Sequence, residues 1–232
     1  DPEAIHNLAD DPDFSNIKDE LRQKLFRWMI DTEDLGLFDE QEIVVRAAAN
    51  GGVSREVGRP CRNLERILET ADLARLGDQG QKELLDRLDD PDSAVRFWAV
   101  TGLTALDAKP ENADRLASLL EDTSISVSLV AANYLVRSGE GGRTIVAFTK
   151  AFESDLLWTR MRAGAYLSYC TREQLRPMKS LLSALESALA NQKLFGPEHD
   201  PYLQANQFSG MLNAQRDVIA KQWVLERVKN RI

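Results

Sequence analysis

The side chains that most often perform chemistry in proteins are few and widely separated in this sequence. Its histidines are His6 and His199, and its cysteines are Cys61 and Cys170. None of the four has a second histidine or cysteine within the spacing of a zinc site, and the cysteines do not suggest a disulfide framework. His199 lies between two acidic residues, but we interpret this stretch as an exposed polar loop. We therefore expect no metal ion and two buried free thiols.

No catalytic arrangement emerges from the remaining polar residues. Neither histidine has a nucleophilic serine or cysteine in a suitable local context, and the carboxylates are numerous and scattered. Residues 10–13 and 89–92 both have the sequence Asp-Asp-Pro-Asp. They lack the glycine and distal glutamate of a calcium-binding EF-hand loop, and a proline in a helix-initiating turn explains both. The sequence thus predicts no catalytic, cofactor-binding or metal-binding residue.

Tryptophan and arginine supply the other candidates. The tryptophans fall in predicted helices, where this residue usually fills a helix interface: Trp28, Trp98, Trp158 and Trp223. Arg96 and Arg160 align in the repeat described below, and we expect each to brace an acidic turn rather than bind a ligand. A basic face for a sulfated or phosphorylated partner is a further hypothesis, and its residues are Arg160, Arg162, Arg172 and Arg176. A solvated helix face is the interpretation we favour.

Length and composition indicate a soluble protein with a sizeable core. The chain has 232 residues, of which 43% are hydrophobic, and no segment has the length and apolarity of a membrane span. The net charge of −8 disfavours nucleic acid and anionic membranes as partners, because both bind clustered lysine and arginine. The sequence opens on Asp1-Pro2 with no initiator methionine or signal peptide, so we expect a piece of a longer polypeptide.

Residues 84–106 are predicted to form two amphipathic helices joined by an acidic turn. The same pattern recurs along the chain, and each copy is displaced by the number of residues that separates Leu84 from Leu116. The aligned positions are Leu84, Leu116 and Phe148; Leu88, Leu120 and Phe152; Ala99, Ala131 and Ala163; and Leu103, Leu135 and Leu167. Small residues such as Ala99 let the second helices approach closely. The pattern, with Asp-Pro-x-x-x-Val-Arg from Asp90 to Arg96, resembles HEAT-like repeats. It predicts an all-α fold, an α/α superhelix of stacked helical hairpins.

Further helices are predicted on both sides of the repeats. The first, over residues 13–32, carries an apolar stripe of Phe14, Ile17, Leu21, Leu25 and Trp28, and Gly36 closes it. The others cover residues 40–49, the stripe from Leu64 to Ala74, residues 175–194 and residues 211–228. Gly77 to Gly80 separates the stripe from the repeats, and Thr171 and Gln174 have the spacing of a capping box.

The N-terminal third resembles a known enzyme family. The run DPEAIHNLADDPDF, an amphipathic helix and DTEDLGLFDEQEI resemble the C-terminal subdomain of formylglycine-dependent sulfatases, especially the bacterial heparan N-sulfatase-like branch. Asp1, Pro2, Asn7 and Leu8 match the family pattern, whereas its acidic position falls on Ala4. The resemblance covers about the first seventy residues. It implies a parent that hydrolyses sulfate esters or N-sulfate groups, often in the periplasm or secreted.

The resemblance also implies that the catalytic machinery lies elsewhere. The family makes its formylglycine nucleophile in a C-x-P-x-R signature and holds calcium with aspartate and asparagine. The residues after Cys61 and Cys170 do not match that signature. We therefore expect residues 1–38 to be a remnant of the sulfatase subdomain with its linker helix. Residues 39–80 are expected to be a helical connector that caps the solenoid, and residues 81–232 the HEAT-like repeats with C-terminal capping helices.

The function expected from this organisation is non-catalytic. The chain would pack on its parent's own catalytic domain, shape substrate access or mediate assembly, including assembly into an oligomer. The alternative is an independent HEAT-like scaffold whose concave face binds another protein. A third hypothesis is a helical-repeat enzyme similar to some DNA glycosylases, which the acidic charge balance disfavours.

Overall fold

A computed structural model describes residues 5, 7–49, 63–107, 109–154 and 157–181, and all regular structure within these residues is helical. The all-α prediction is confirmed for this part of the chain. The helices, in order, are α1 (Ser15–Asp31), α2 (Glu40–Ala49), α3 (Leu64–Asp72), α4 (Asp78–Asp86), α5 (Ser93–Ala105), α6 (Ala113–Ala117), α7 (Ile125–Arg137), α8 (Ile145–Phe152), α9 (Leu157–Ser168) and α10 (Arg172–Leu175). Short 3₁₀ turns connect several of them.

The helices α5, α7 and α9 begin at Ser93, Ile125 and Leu157, so their starts are evenly spaced at the interval that the sequence repeat predicts. Helix α7 packs between α5 and α9, and α3 packs against α5. The aligned alanines Ala99 and Ala131 are fully buried, as is the third alanine in α9. Their small side chains allow the close approach of neighbouring helices.

A shorter helix precedes each of these three helices. Helices α4, α6 and α8 bury the aligned residues Leu84, Leu116 and Phe148 completely. Helices α4 and α6 tighten into 3₁₀ turns at Arg87–Asp89 and Ser118–Glu121, immediately before the acidic turns. The result is three successive helical hairpins whose buried residues form two apolar clusters, and the partly buried Leu120 and Tyr166 pack against both clusters.

Arginine side chains tie the acidic turns to neighbouring helices. Arg96 donates from Nε and Nη2 to the two carboxylate oxygens of Asp122, at 2.8 and 2.7 Å, and from Nη1 to the carbonyl of Asp90 at 2.8 Å. Arg66 of α3 donates to the carboxylate of Asp90 at 2.6 Å. Arg160 donates to the carbonyl six residues before it, as Arg96 does. The prediction that Arg96 braces the neighbouring acidic turn is confirmed.

The end of α1 differs from the prediction. Glu33 takes the left-handed conformation, with φ of 52°, and its N–H donates to the carbonyl of Ile30 at 3.1 Å. The N–H of Asp34 donates to the carbonyl of Met29 at 2.9 Å, which completes a Schellman motif. Gly36 lies beyond this motif, in the 3₁₀ turn Leu35–Leu37, where the Asp34 carboxylate accepts its N–H. The prediction that Gly36 closes the helix is therefore wrong.

The predicted apolar stripe of α1 faces away from the core. Its five residues, Phe14, Ile17, Leu21, Leu25 and Trp28, are between 38% and 60% exposed. The opposite face, with Phe26, Met29 and Ile30, packs against the core around Ile67 of α3. Periodicity alone marks a helix with apolar residues but does not select the buried face when both faces carry them. The expectation that Trp28 fills a helix interface is also wrong, since its side chain is 57% exposed.

The predicted capping box is present at the start of α10. The Thr171 hydroxyl accepts the N–H of Gln174 at 3.3 Å, and the Gln174 side-chain oxygen accepts the N–H of Thr171 at 2.8 Å. The helix begins at Arg172, earlier than the predicted start at Leu175, because the capped turn belongs to it. Pro177 then lies in a 3₁₀ turn, Arg176–Met178.

Several predictions lie outside the described residues. These concern His6, His199, Cys61 and Trp223, the side chain of Trp158, the helix over residues 211–228 and most of the helix over residues 175–194. Cys170 is described and is a buried free thiol, as predicted. Its Sγ donates to the carbonyl of Tyr166 at 3.2 Å.

Gly80 is predicted to resist any larger side chain. It lies inside α4 rather than in the predicted separator, and a Cβ there would be 2.0 Å from the carbonyl oxygen of Leu73. We expect Gly80→Ala to lower the free energy of unfolding by about 1–3 kcal/mol through overpacking, although alanine favours helix. Urea denaturation measures this change.

Gly142→Ala is the matched control, because a Cβ at Gly142 would be 3.7 Å from Pro177 Cβ, an ordinary contact. Equal stability of the two variants would contradict the close approach at Gly80.

Candidate functional site

A groove of about 500 Å³ lies across the exposed sides of α5, α7 and α9. Residues at equivalent repeat positions form three rows along it, each one helical turn from the next. The first row contains Trp98, Val130 and Arg162, the second contains Thr101 and Asn133, and the third contains Ala105 and Arg137. Tyr166 of α9 also lines the groove. The repeat therefore creates the groove, because each helix contributes at the same height.

Residues 36–40, which we call the groove segment, form one wall of this groove. The side chains of Leu37 and Phe38 are buried. Phe38 has extended backbone angles, with φ of −102° and ψ of 140°. The Trp98 indole donates from Nε1 to the carbonyl of Leu37 at 2.6 Å. The guanidinium of Arg46 lies 4.9 Å from the centre of the Phe38 ring. The chain thus places the end of a 3₁₀ turn and the residues leading into α2 against the first row.

The acidic end of the groove segment is held by Arg162. The Arg162 guanidinium forms ion pairs with the carboxylates of Asp39 and Glu40. Asp39 is almost fully buried and also accepts from the Ser126 hydroxyl at 2.9 Å. Burial raises the pKa of Asp39 above its ordinary value, although Arg162 and Ser126 act in the opposite direction. The carboxylates of Asp39 and Glu40 therefore already neutralise the positive charge of Arg162.

Helix α2 continues from the groove segment across the N-terminal ends of α5 and α7. The Glu42 carboxylate accepts from Ser93 at the start of α5 and from Ser124, the N-cap of α7, the latter at 2.8 Å. A carboxylate is favourable at these positions because helix N-termini carry partial positive charge. Arg46 donates to Asp92, the N-cap of α5, at 2.7 Å.

The N-cap carboxylate of α5 is held in its charged form. Burial alone would raise the pKa of Asp92, but hydrogen bonds from Arg46 and from the N–H of Ala94 outweigh the effect of burial and lower that pKa.

At the start of α9, Thr159 donates to the Gln41 side chain, whose amide donates to Ser126. These contacts attach α2 to all three second helices.

Three polar groups along the groove remain available to a ligand. Within the described residues, the side chains of Asn133 and Arg137 and the hydroxyl of Tyr166 make no hydrogen bond or ion pair. Burial raises the pKa of Tyr166, so its hydroxyl stays protonated at neutral pH and is a donor. An amide, a guanidinium and a phenol beside aromatic rings are typical of a binding site for a polar, partly apolar ligand.

The four arginines of the hypothetical basic face do not share one environment. Arg160 is buried and Arg162 is paired with acids, whereas Arg172 and Arg176 are exposed outside the groove. Asn133 and Arg137 were not among the candidates predicted from the sequence. The repeat contains the signal for both, because its interval aligns them with Thr101 and Ala105 on the same helix face.

Among the residues with described positions, no group of three or more His, Cys, Asp and Glu side chains is arranged to hold a metal ion. In the same residues, no helix combines the length and hydropathy needed to cross a membrane. The fold and groove define an all-helical protein with a groove on one surface. Comparisons with family models, with curated proteins and with solved structures yield no match.

The buried carboxylate of Asp39 predicts an unusual dependence of stability on pH. With a raised pKa, the folded protein binds more protons than the unfolded chain between the ordinary value of 3.8 and the folded-state value. Stability contributed by Asp39 therefore rises as pH falls through this window. We expect the free energy of unfolding of the wild type, relative to Asp39→Asn, to increase between pH 7 and pH 4 in urea titrations.

Asp10→Asn, at an exposed aspartate, is the control and should follow the wild type throughout. A wild-type advantage over Asp39→Asn that shrinks on acidification would contradict a raised pKa.

Proposed function

We propose that this chain is the non-catalytic C-terminal region of a sulfatase-like enzyme, organised as a HEAT-like α-solenoid. The parent hydrolyses sulfate esters or N-sulfate groups with formylglycine and calcium in a separate catalytic domain. This region packs on that domain, shapes access to its site or mediates assembly. The proposal rests on the resemblance of the first seventy residues and on the exposed apolar face of α1.

The exposed face of α1 is the observation that carries the proposal. Its five large apolar residues lie within the segment that resembles the sulfatase subdomain, and the nearby Ile5 and Leu8 are also exposed. A contiguous apolar surface of this kind usually marks an interface with another protein or domain. A catalytic domain joined to the N-terminal side of α1 would be well placed to cover it.

The packing of α1 supports a linking role. Its other face contacts the core around Ile67, and Arg22 forms an ion pair with Asp72 of α3 at 3.4 Å. The helix is therefore attached to the hairpins on one side and exposes apolar residues on the other. Such a helix can transmit the position of one domain to the next.

The hairpin geometry supports the HEAT-like part of the proposal. Second helices with evenly spaced starts pack side by side, and acidic turns braced by Arg66 and Arg96 separate first helices from second helices. These features are typical of helical repeat proteins, in which each unit contacts its neighbours.

A second candidate function is an independent HEAT-like scaffold that binds a protein partner. The groove across α5, α7 and α9 favours it, because Asn133 and Arg137 offer polar groups beside aromatic side chains. In this case the exposed face of α1 would be covered by a partner rather than by a catalytic domain.

The DNA upstream of the codon for Asp1 distinguishes the two functions. We expect the reading frame to continue into a catalytic domain with a C-x-P-x-R signature, and the longer protein to hydrolyse an aryl sulfate. The chain described here, purified alone, should not. A start codon directly before Asp1 would refute the sulfatase assignment, as would aryl sulfate turnover by this chain alone.

The exposed face of α1 makes a separate prediction. The double substitution Leu21→Asp and Leu25→Asp should change the free energy of unfolding of this chain by only about 0.5 kcal/mol, since surface positions contribute little. The same substitutions should weaken association with the catalytic domain, measured by co-purification of separately expressed parts.

Ile67→Ala is the contrasting control, because Ile67 is fully buried and its loss should cost about 2–5 kcal/mol. Strong destabilisation of the isolated chain by the α1 substitutions would show that this face already packs within the chain.

A further inference from the structure

The groove segment shows what chemistry the groove recognises. Its apolar residues are Leu37, which ends the 3₁₀ turn, and Phe38, which has extended backbone angles; the acidic residues Asp39 and Glu40 follow, and Glu40 begins α2. A side chain of the first row, Trp98, donates to a backbone carbonyl of the segment, and Arg162 binds both carboxylates. The polar groups of the segment are therefore held by one backbone hydrogen bond, by one guanidinium and, at Asp39, by the Ser126 hydroxyl, while Leu37 and Phe38 pack into the core around Ile67. An acidic peptide can use polar contacts of the same kinds.

The second and third rows of the groove offer polar groups of the same kinds, and no described residue occupies the space beside them. Asn133 in the second row has an amide that can donate to a backbone carbonyl, as the Trp98 indole does. Arg137 in the third row provides a guanidinium, and Ala105 beside it is small and exposed. The two residues are one helical turn apart on α7, and Tyr166 also lines this groove.

We propose that the groove binds a short acidic peptide segment of a partner protein. One carboxylate of that segment pairs with Arg137, and Asn133 donates to its backbone. The neighbouring apolar side chain packs beside Phe97 and Trp98, which lie edge to face with centroids 5.9 Å apart. The peptide lies next to the groove segment, which completes one wall of its site.

The charges of the groove favour an isolated carboxylate over a polyanion. The charged residues that line it are Asp39, Glu40, Arg137 and Arg162, and Arg162 is paired with both acids. Arg137 is therefore the one groove cation that no described carboxylate neutralises. A chain of phosphates would approach the half-exposed Glu40 and meet a protein of net charge −8. A peptide with one or two acids avoids both penalties.

This inference deepens the scaffold role of the groove and does not depend on a catalytic domain covering α1. Its experiment uses the purified chain and a defined peptide. The outcome is therefore separate from that of the upstream DNA sequence.

The probe is a capped, fluorescein-labelled peptide with the sequence of residues 36–41, GLFDEQ, measured by fluorescence anisotropy. We expect saturable binding with a Kd on the order of 100 μM, since the site offers few polar contacts. The amide analogue GLFNQQ should bind about tenfold more weakly, as should Arg137→Ala with GLFDEQ, because each removes one charge-assisted hydrogen bond. Higher salt should weaken binding of GLFDEQ to the wild type.

Two variants separate recognition from general effects of charge. Arg176→Ala removes an exposed arginine outside the groove and should leave binding unchanged. Arg137→Glu should lose GLFDEQ and gain binding of the charge-swapped peptide GLFKKQ, a result that a purely structural role of Arg137 cannot produce. Circular dichroism confirms that each variant is folded. Absence of saturable binding, equal binding of GLFDEQ and GLFNQQ, or binding unaffected by Arg137→Ala would overturn the proposal.

Discussion

The buried ion pair between Arg96 and Asp122 fixes how one helical hairpin follows the next. Both side chains are largely shielded from water, with 12% and 6% exposure, and two hydrogen bonds join them. A buried charge without its partner costs several kcal/mol, roughly 3–5 kcal/mol in measured cases. A shift of α5 along the next acidic turn would leave both charges buried without a partner. Arg66 pairs with the buried Asp90 one helix earlier, but the Arg66 side chain is 47% exposed, so this pair constrains α3 less strongly.

Helix α2 depends on that register because it spans the ends of several helices at once. Glu42 contacts residues at the starts of both α5 and α7, and Gln41 contacts residues at the starts of α7 and α9. These hydrogen bonds form only if the three helix ends are level. The groove segment directly precedes α2, and its position against Trp98 and Arg162 follows from the same alignment. The groove is therefore a product of the repeat geometry and of one crossing helix.

Local sequence patterns predicted the helices better than the contacts between them. The helices themselves follow from short-range periodicity, and the aligned buried alanine at Ala99 follows from the internal repeat. The sequence predicted the apolar stripe of α1 but did not indicate which face is buried, because both faces are apolar and the distant core selects one. The pair of Asp39 with Arg162 joins residues far apart in the chain, and no local pattern indicates it. Aligning the repeats would have placed Asn133 and Arg137 on the groove face, but not the segment beside them.

The exposed face of α1 and the groove are joined by residues 32–39, yet they are mechanically separate. The Schellman motif at Glu33 ends α1, and a capped 3₁₀ turn at Asp34 follows, so the chain changes direction twice before the groove. Beyond that point Asp39 is held by Ser126 and Arg162, which belong to α7 and α9 rather than to α1. A protein bound to α1 would therefore leave the groove wall attached to the helices that form the groove. The two surfaces can accordingly serve different partners in one molecule.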